Sequence, residues 1–217
     1  RQVLTRLGMV SVAAPVGALT WQLAPWERWR AQYVTGIGEQ RKLVLADGSQ
    51  LMLNTDTRVD TDYNPRHRLI RLHDGEILVQ SAPDPRRPSR PLLVDTPEGR
   101  IQALGTRFTV RRDAGQTRVT VLADTVRVTS ANHPDGRLVQ QGEEIRFTAG
   151  DLPPTRPAPA GAASWAGGKL MVVDMPLREL LAELGRYRRG LLACSDAVAG
   201  LRVSGTFPLA DTDRALS

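Results

Sequence analysis

Cysteine, histidine and lysine are all scarce in this chain, and the catalytic motifs that use such residues are missing. Its 217 residues include one cysteine and three histidines. Because Cys194 is alone, neither an internal disulfide nor a cysteine-based metal site can form. A G-x-S-x-G nucleophile motif is absent, and His67, His73 and His133 all lie beside turns or polar runs. We therefore expect a protein that is not an enzyme and that holds no cofactor.

Two incomplete motifs argue against a bound nucleotide or metal ion. The stretch Ala160–Lys169 ends in Gly-Gly-Lys, but it lacks the first glycine of a phosphate-binding loop and is followed by Leu170 instead of serine or threonine. An acidic run that starts at Asp60 has Pro65 where a calcium loop needs glycine, and Arg71 where it needs glutamate. Polar, outward positions of a strand account for the acidic run, so we expect no metal site here.

The basic charge of the chain comes from arginine, because Lys42 and Lys169 are the only lysines. The net charge is +6. The arginines are scattered and interleaved with aspartate and glutamate, and no basic stripe with stacking aromatic residues is present. We expect an ordinary solvated surface and no nucleic-acid partner.

Short apolar runs separated by Asp-Gly pairs fill the stretch from Tyr33 to Arg111. Asp47-Gly48 and Asp74-Gly75 both fit the pattern L-x-D-G-x-x-L. Asp-Gly between β-prone runs is the strongest short-range signal for a hairpin. From these runs we predict an all-β domain over residues 31–149, built as a sandwich or as a short solenoid. Its further predicted turns are Glu98-Gly99, Ala114-Gly115 and Asp135-Gly136.

Gly105 interrupts the apolar run that leads into Phe108. A glycine in such a position predicts either a positive φ angle or a close approach of another backbone segment. Either cause would make the position intolerant of a β-branched side chain.

The composition changes after Ala149. Residues 150–164 hold four prolines among alanine and glycine, which predicts a stiffened linker that does not pack. Residues 165–217 predict a small α/β domain. Its predicted strands are Lys169–Val173, Leu191–Cys194 and Leu201–Phe207, and its predicted helix is Pro176–Arg189.

The apolar face of this helix is a candidate surface for binding another protein. The face can pack on its own sheet, meet a partner or do both, and the sequence leaves these alternatives open. The edge strand Leu201–Phe207 is a second candidate, since unpaired strand edges readily add a strand from a partner. Aliphatic and aromatic anchors carry most of the energy of an interface. The candidate partner-binding residues are Leu177, Leu180, Leu181, Leu184, Tyr187 and Phe207.

Residues 7–26 form a run of twenty residues without a charge. At about 1.5 Å per residue, a helix of this length spans a hydrocarbon core of roughly 30 Å. Trp21, Trp26 and Trp29 cluster at one end, as interfacial anchors do. We predict a transmembrane anchor with its flanks at residues 1–30. A cleaved signal peptide and a buried helix are the alternatives, although Ala24-Pro25 is a poor context for cleavage.

A set of short motifs in this chain occurs in the order found in one known family. The motifs are Gly38–Arg41, Leu45–Ser49, Leu53-Asn54, Arg71–Glu76, Ala103–Phe108, Gly168–Leu170, Pro176-Leu177, Glu183–Tyr187 and Gly205–Phe207. Together they resemble the FecR family, and the resemblance runs from about Tyr33 to the end of the chain. Ala123-Asp124-Thr125 departs from the family pattern, which has a glycine turn at that point.

The resemblance implies a regulator that relays signals across the bacterial cell envelope. FecR-like proteins are single-pass inner-membrane proteins whose C-terminal part is periplasmic. They pass a signal from a TonB-dependent outer-membrane transducer to a cytoplasmic extracytoplasmic-function sigma factor, commonly for the uptake of iron chelates or haem. The implied partners are the signalling domain of the transducer, the sigma factor and the inner membrane. A passive periplasmic β-scaffold or binding module is the alternative.

The resemblance also suggests what lies at each end of this chain. Residues 165–217 resemble the short N-terminal domains of secretins and TonB-dependent transducers, and we expect that domain to be incomplete here. Because the chain begins without methionine, we expect the short cytoplasmic domain that holds the sigma factor to precede it. A twin-arginine export signal would need one more arginine before Arg1.

Overall fold

The computed structural model describes residues 31–113 and 115–212, and these residues are mainly β. The prediction of a mainly β protein is confirmed. The predicted anchor at residues 7–26 lies outside the described residues. Within the two described ranges, no helix is long and apolar enough to cross a membrane.

The described residues contain fifteen strands, one α-helix and one short 3₁₀ helix. The strands are β1 Tyr33–Val34, β2 Arg41–Val44, β3 Gln50–Leu53, β4 Arg58–Tyr63, β5 Arg68–Gln80, β6 Leu92–Thr96, β7 Gly99–Ala103, β8 Arg107–Asp113, β9 Gln116–Ala123, β10 Thr125–Ser130, β11 His133–Gln140, β12 Glu143–Phe147, β13 Arg156–Pro157, β14 Lys169–Pro176 and β15 Arg202–Pro208. The helices are the 3₁₀ helix Ser164–Gly167 and α1 Leu177–Gly185.

Strands β1 to β13 make two layers that share the long strand β5. The first half of β5 pairs with β4 and β6, and its second half pairs with β3 and β8. The first layer continues through β7, β10 and β11, and the second through β9, β12 and β13. Inward-facing side chains of both layers form one core, which includes Ile70, Val94, Val110 and Phe147. The architecture is therefore a β-sandwich, one of the two predicted alternatives.

Asp74-Gly75 does not form the predicted hairpin turn. Both residues lie inside β5, at the point where this strand passes from the first layer to the second. Gly75 has a φ angle of +91°, and a Cβ there would lie 2.6 Å from Thr57 Cα. The apolar runs on either side pair with different strands instead of with each other. The turn signal therefore marks a bend within one strand.

Asp135-Gly136 also lies within a strand, β11, and the predicted turn is wrong. The chain reverses earlier, between the paired residues Ser130 and His133. Gly136 has a φ angle of +70° and lies beside a register shift between β10 and β11. The glycine serves a bulge in the strand, a role that glycine often has.

The other predicted turns are found where the sequence indicates them. Asp47-Gly48 joins β2 to β3, and Glu98-Gly99 lies where β6 turns into β7. Gly115 lies between β8 and β9, while its neighbour Ala114 is outside the described residues. Asp124, between β9 and β10, has a φ angle of +60°, which aspartate tolerates better than most residues. Aspartate thus occupies a left-handed turn position that glycine often fills.

Residues 150–164 run along the sandwich, so the prediction that this segment does not pack is wrong. Leu152 is 6% exposed and belongs to the sandwich core. Arg156 and Pro157 form strand β13 against β12. Proline lacks a backbone donor but fits an edge strand, which explains why a proline-rich segment can pair here.

Residues 164–212 pack on the outer face of the second layer. Strands β14 and β15 form a two-stranded antiparallel sheet, with α1 following β14. A second apolar cluster joins Met52, Leu78 and Leu122 from the sandwich to Trp165 and Leu184. The described residues consequently belong to one compact unit.

Two predicted elements of this segment differ in the structure. The helix ends at Gly185 instead of Arg189, because the next residues form tighter bonds such as Tyr187 N–H to Leu184 O at 3.1 Å. Residues 191–194 form no strand, and Leu191 is 91% exposed. An apolar run without a neighbouring strand to pair with has no reason to become one.

Candidate functional site between the helix and the sandwich

The six candidate partner-binding residues lie on surfaces that are covered within this chain. Leu180, Leu184 and Tyr187 are each no more than 7% exposed, and Leu181 is 8% exposed. A partner could reach this face only if the helix moved away from the sandwich, and partner binding by these residues stays a prediction. The remaining two, Leu177 and Phe207, are partly buried against the second apolar cluster.

A buried polar network lies beside this apolar contact and is centred on Glu76 of β5. Glu76 is 6% exposed. Its carboxylate accepts a hydrogen bond from Asn54 Nδ2 at 2.9 Å and another from Arg186 Nη1 at 2.9 Å. Asn54 Nδ2 also donates to Tyr187 Oη at 2.7 Å. The network therefore connects β5, and the residue that follows β3, to the segment that follows α1.

Glu183 of α1 extends the network to a neighbouring strand. Arg111 of β8 donates from Nη1 to both carboxylate oxygens of Glu183, at 2.6 and 2.8 Å. Arg186 Nη1 donates to Glu183 as well, at 3.1 Å. The charges of Glu76, Arg186, Glu183 and Arg111 thus alternate in sign. Such pairing with hydrogen bonds offsets the large penalty of removing charges from water.

The network shifts the pKa values of several members. Burial alone would raise the pKa of the Glu183 carboxyl, but the guanidinium groups of Arg111 and Arg186 outweigh it and hold that pKa below its ordinary value. Burial lowers the pKa of Arg186, but the carboxylates of Glu76 and Glu183 raise it by more, so the net change is an increase. Burial, followed by the charge of Glu76, raises the pKa of Tyr187 to about 12. These three groups therefore keep fixed protonation states near neutral pH.

Backbone groups add further contacts between the sandwich and the C-terminal segment, residues 164–212. Gln40 Nε2 donates to Trp165 O at 3.0 Å, and Thr55 Oγ1 donates to Arg186 O at 2.9 Å. Gly38 has a φ angle of +78°, and a Cβ there would lie 2.9 Å from Tyr187 O. Only glycine allows the backbone to come this close.

This network was not predicted from the sequence, although most of its members lie in the motifs that carry the family resemblance. Gln40, Asn54, Glu76, Glu183 and Arg186 all lie in the segments that carry the resemblance. Their spacing along the chain gives no indication that they meet. A usable signal was the presence of polar residues directly beside strongly apolar strand positions, since such residues need partners when they are buried.

The opposite face of the β14–β15 sheet and one edge of β15 are free of contacts from described strands. Met171, Val173 and Leu201 are 40%, 62% and 58% exposed. Leu209 N–H donates to Gly168 O at 3.0 Å. Because the N–H direction alternates along a strand, Thr206 directs its N–H away from β14. Within the described ranges β15 pairs with β14 alone, so this edge can accept a further strand.

Comparisons with known proteins connect this fold with one family. Residues 31–127 match the family model for the FecR protein. Two crystal structures of a candidate anti-sigma factor from Parabacteroides distasonis ATCC 8503, at 1.65 and 2.50 Å resolution, give TM-scores of 0.69 and 0.67 with 19% and 20% sequence identity. Each comparison covers 85% of this chain and 87% of the other, and at such identity the likeness concerns the fold alone. No curated protein sequence gives a significant match.

Proposed function

Because residues 31–127 of this chain belong to the FecR family, we propose that the protein is a signal-transduction regulator of the anti-sigma-factor type. In this proposal it relays a periplasmic signal from a TonB-dependent outer-membrane transducer to a cytoplasmic extracytoplasmic-function sigma factor. Uptake of iron chelates or haem is the process we expect it to control. The family match carries the proposal, and the fold shared with two candidate anti-sigma factor structures supports it.

The proposal gives the chain a binding role and no catalytic one. The described part would be periplasmic and residues 1–30 would anchor it in the inner membrane. Sigma-factor binding would fall to a short helical domain on the N-terminal side. Reporter fusions after Gly150 test this topology. We expect activity from a periplasmic phosphatase reporter and none from a reporter that needs the cytoplasm, and the opposite pattern would contradict it.

We infer that the signalling domain of the transducer docks on the free edge of β15. A strand added there would meet the outward N–H of Thr206 and lie next to β15, with β14 on the other side. From β15 the signal would pass through β14 and α1 to Glu183 and Arg186. The buried network would then transmit it to the sandwich.

Two substitutions at Thr206 test this docking mode, because they differ in one backbone donor. Thr206→Pro removes the outward N–H, while Thr206→Val keeps it and replaces only the hydroxyl. We expect Thr206→Pro to lose co-purification with the signalling domain of the proposed transducer and to lose induction of the sigma-dependent promoter. Thr206→Val should retain both activities, and circular dichroism should show that both variants are folded.

The alternative of a passive periplasmic scaffold makes the opposite prediction. A scaffold would leave expression from the sigma-dependent promoter unchanged when the whole gene is deleted. If the promoter responds to deletion but Thr206→Pro behaves as the unmodified protein, the regulator proposal stands and the edge of β15 is not the docking site.

A further inference from the structure

Three arginines lie side by side across neighbouring strands of the second layer. Arg111 of β8 is opposite Arg118 of β9, and Arg118 is opposite Arg146 of β12. Like charges directly opposite each other in a sheet are destabilising. Glu183 offsets the charge of Arg111, at 2.6 Å, and Glu144 offsets that of Arg146, at 2.9 Å.

Arg118 is the member of this row that no described residue contacts with a hydrogen bond or an ion pair. Its Nε is buried and has no acceptor among residues 31–113 and 115–212. Burial and the charges of Arg111 and Arg146 lower its pKa, and the carboxylates of Glu144 and Glu183 offset only part of that effect. One positive charge in the middle of the row therefore lacks a contacting counter-charge in the described part of the chain.

The arginine row forms one wall of a cavity of about 350 Å³ between the second layer and the C-terminal segment. The opposite wall combines the apolar side chains of Leu170, Val172 and Met175 with Glu179 and Glu183 of α1, and Glu183 is paired with Arg111. Trp165 also lines the cavity and is 3% exposed. Its indole N–H has no acceptor within the described ranges. Two hydrogen-bond donors without acceptors thus border the same cavity, whose volume suits a small ligand.

We propose that this cavity binds a small organic carboxylate with an apolar body. The planar carboxylate matches the guanidinium of Arg118, which would supply parallel N–H donors. The indole N–H of Trp165 would supply a further donor, and the apolar body would pack on Leu170, Val172 and Met175. A ligand with one negative charge suffices to pair the row, because Arg118 is its single arginine without a contacting carboxylate among the described residues.

The ligand would also tighten the joint between the sandwich and the C-terminal segment. Glu76, Arg186 and Tyr187 line the same cavity as Arg118. A molecule that fills the cavity binds the assembled state alone, because separation of the two parts removes one wall. Ligand binding therefore stabilises the closed arrangement by mass action.

Calorimetric titration of the 217-residue chain with benzoate, benzamide and inorganic sulfate tests the proposal. Benzoate and benzamide share an apolar ring, whereas benzoate alone carries a charge. We expect benzoate to bind with a Kd at least about tenfold lower than that of benzamide, as charge-assisted hydrogen bonds require. Equal affinity for the two, no benzoate binding, or sulfate binding as tight as that of benzoate would overturn the proposal.

Variants locate the binding within the chain. Arg118→Gln should weaken benzoate binding at least about tenfold, while the Tm of the ligand-free protein stays the same or rises because like-charge repulsion is relieved. Trp165→Phe should keep the ring packing and weaken benzoate binding through the lost donor. Arg127→Gln, an exposed arginine on β10, is the matched control and should bind as the unmodified chain does. Unchanged benzoate binding in Arg118→Gln would overturn the proposal.

Discussion

Single residues contribute strongly to the stability of the contact between the sandwich and the C-terminal segment. Glu76 and Glu183 both accept hydrogen bonds from Arg186 Nη1, so one guanidinium bridges two carboxylates. The side chain of Glu76 is 8% exposed and that of Glu183 is 21% exposed. Water therefore cannot fully replace Arg186 as a partner.

Arg186→Ala should lower the free energy of unfolding by about 3 kcal/mol, because breaking a buried ion pair leaves an uncompensated charge. Arg189 is exposed and lies in the same segment, which makes Arg189→Ala a matched control. We expect the control to change stability by less than about 0.5 kcal/mol. Urea unfolding followed by circular dichroism measures both. Equal effects of the two substitutions would contradict the role given to Arg186.

Gly75 and Gly105 are needed for different reasons: a positive φ angle at both positions, and a close approach of another residue at Gly75 alone. Their φ angles are +91° and +92°, but a Cβ at Gly75 would collide with Thr57, whereas one at Gly105 would meet nothing within 4 Å. Gly105→Ala and Gly105→Val should therefore cost only backbone strain, about 1–3 kcal/mol. Gly75→Ala should cost at least about 1–3 kcal/mol more through overpacking. Thermal unfolding of the three variants checks this order, and a Gly75→Ala protein as stable as Gly105→Ala would refute it.

Secondary-structure elements were predictable where local pattern and long-range pairing agree. Strands such as β14 and β15 follow from their composition, and Asp47-Gly48 forms the expected hairpin. Asp74-Gly75 has the same local pattern, yet it lies within β5 because β4 and β6 pair with one half of the strand and β3 and β8 with the other. The choice between turn and bend depends on partners that a short window of sequence does not contain.

The candidate site shows the same limit at the level of the helix. The apolar face of α1 was predictable, since leucines recur at helical spacing. The surface that covers this face could not be predicted. Met52, Leu78 and Leu122 belong to strands whose opposite face is buried as well. Such strands read as continuous apolar runs, and only the tertiary arrangement tells which side meets the helix.

Docking of α1 should weaken in acid. The folded pKa of Glu183 is below its unfolded value, so its contribution to stability is complete above a pH of about 4.5 and is lost as the pH falls through the folded pKa. Stability should therefore decline less steeply with falling pH in Glu183→Gln than in the unmodified chain. Glu179→Gln, an exposed position on the same helix, should keep the original slope. Denaturant unfolding at several pH values tests this, and identical slopes for all three proteins would argue against the assignment.

At the scale of the whole molecule, the second layer of the sandwich has a buried apolar cluster on each of its two faces. Its inner face contributes Val110 and Phe147 to the sandwich core, and its outer face contributes Leu78 and Leu122 to the second cluster. A fold of this kind resembles three stacked layers that share a central sheet. If the C-terminal segment dissociates from the sandwich, the apolar residues on the outer face of this central sheet become exposed to water.

The sandwich and the C-terminal segment should therefore unfold together, unlike two domains on a linker. Trp165 is the one tryptophan beyond residue 30, so replacing Trp21, Trp26 and Trp29 by phenylalanine makes fluorescence a probe of the C-terminal segment. Far-ultraviolet circular dichroism follows the sandwich, which holds most of the strands. The two signals should give one midpoint in urea, as a cooperative unit requires.

Leu184→Ala tests whether that cooperativity passes through the second apolar cluster. Leu184 is 0% exposed, and truncating such a leucine costs about 2–5 kcal/mol. If the two parts form one unit, the fluorescence and dichroism midpoints shift downward by the same amount, because the cavity destabilises a state that both probes share. Independent domains would instead move the fluorescence midpoint and leave the dichroism of the sandwich in place. That separation would mean that the contacts of Asn54, Glu76 and Arg111 with the helix segment do not couple the folding of the two parts.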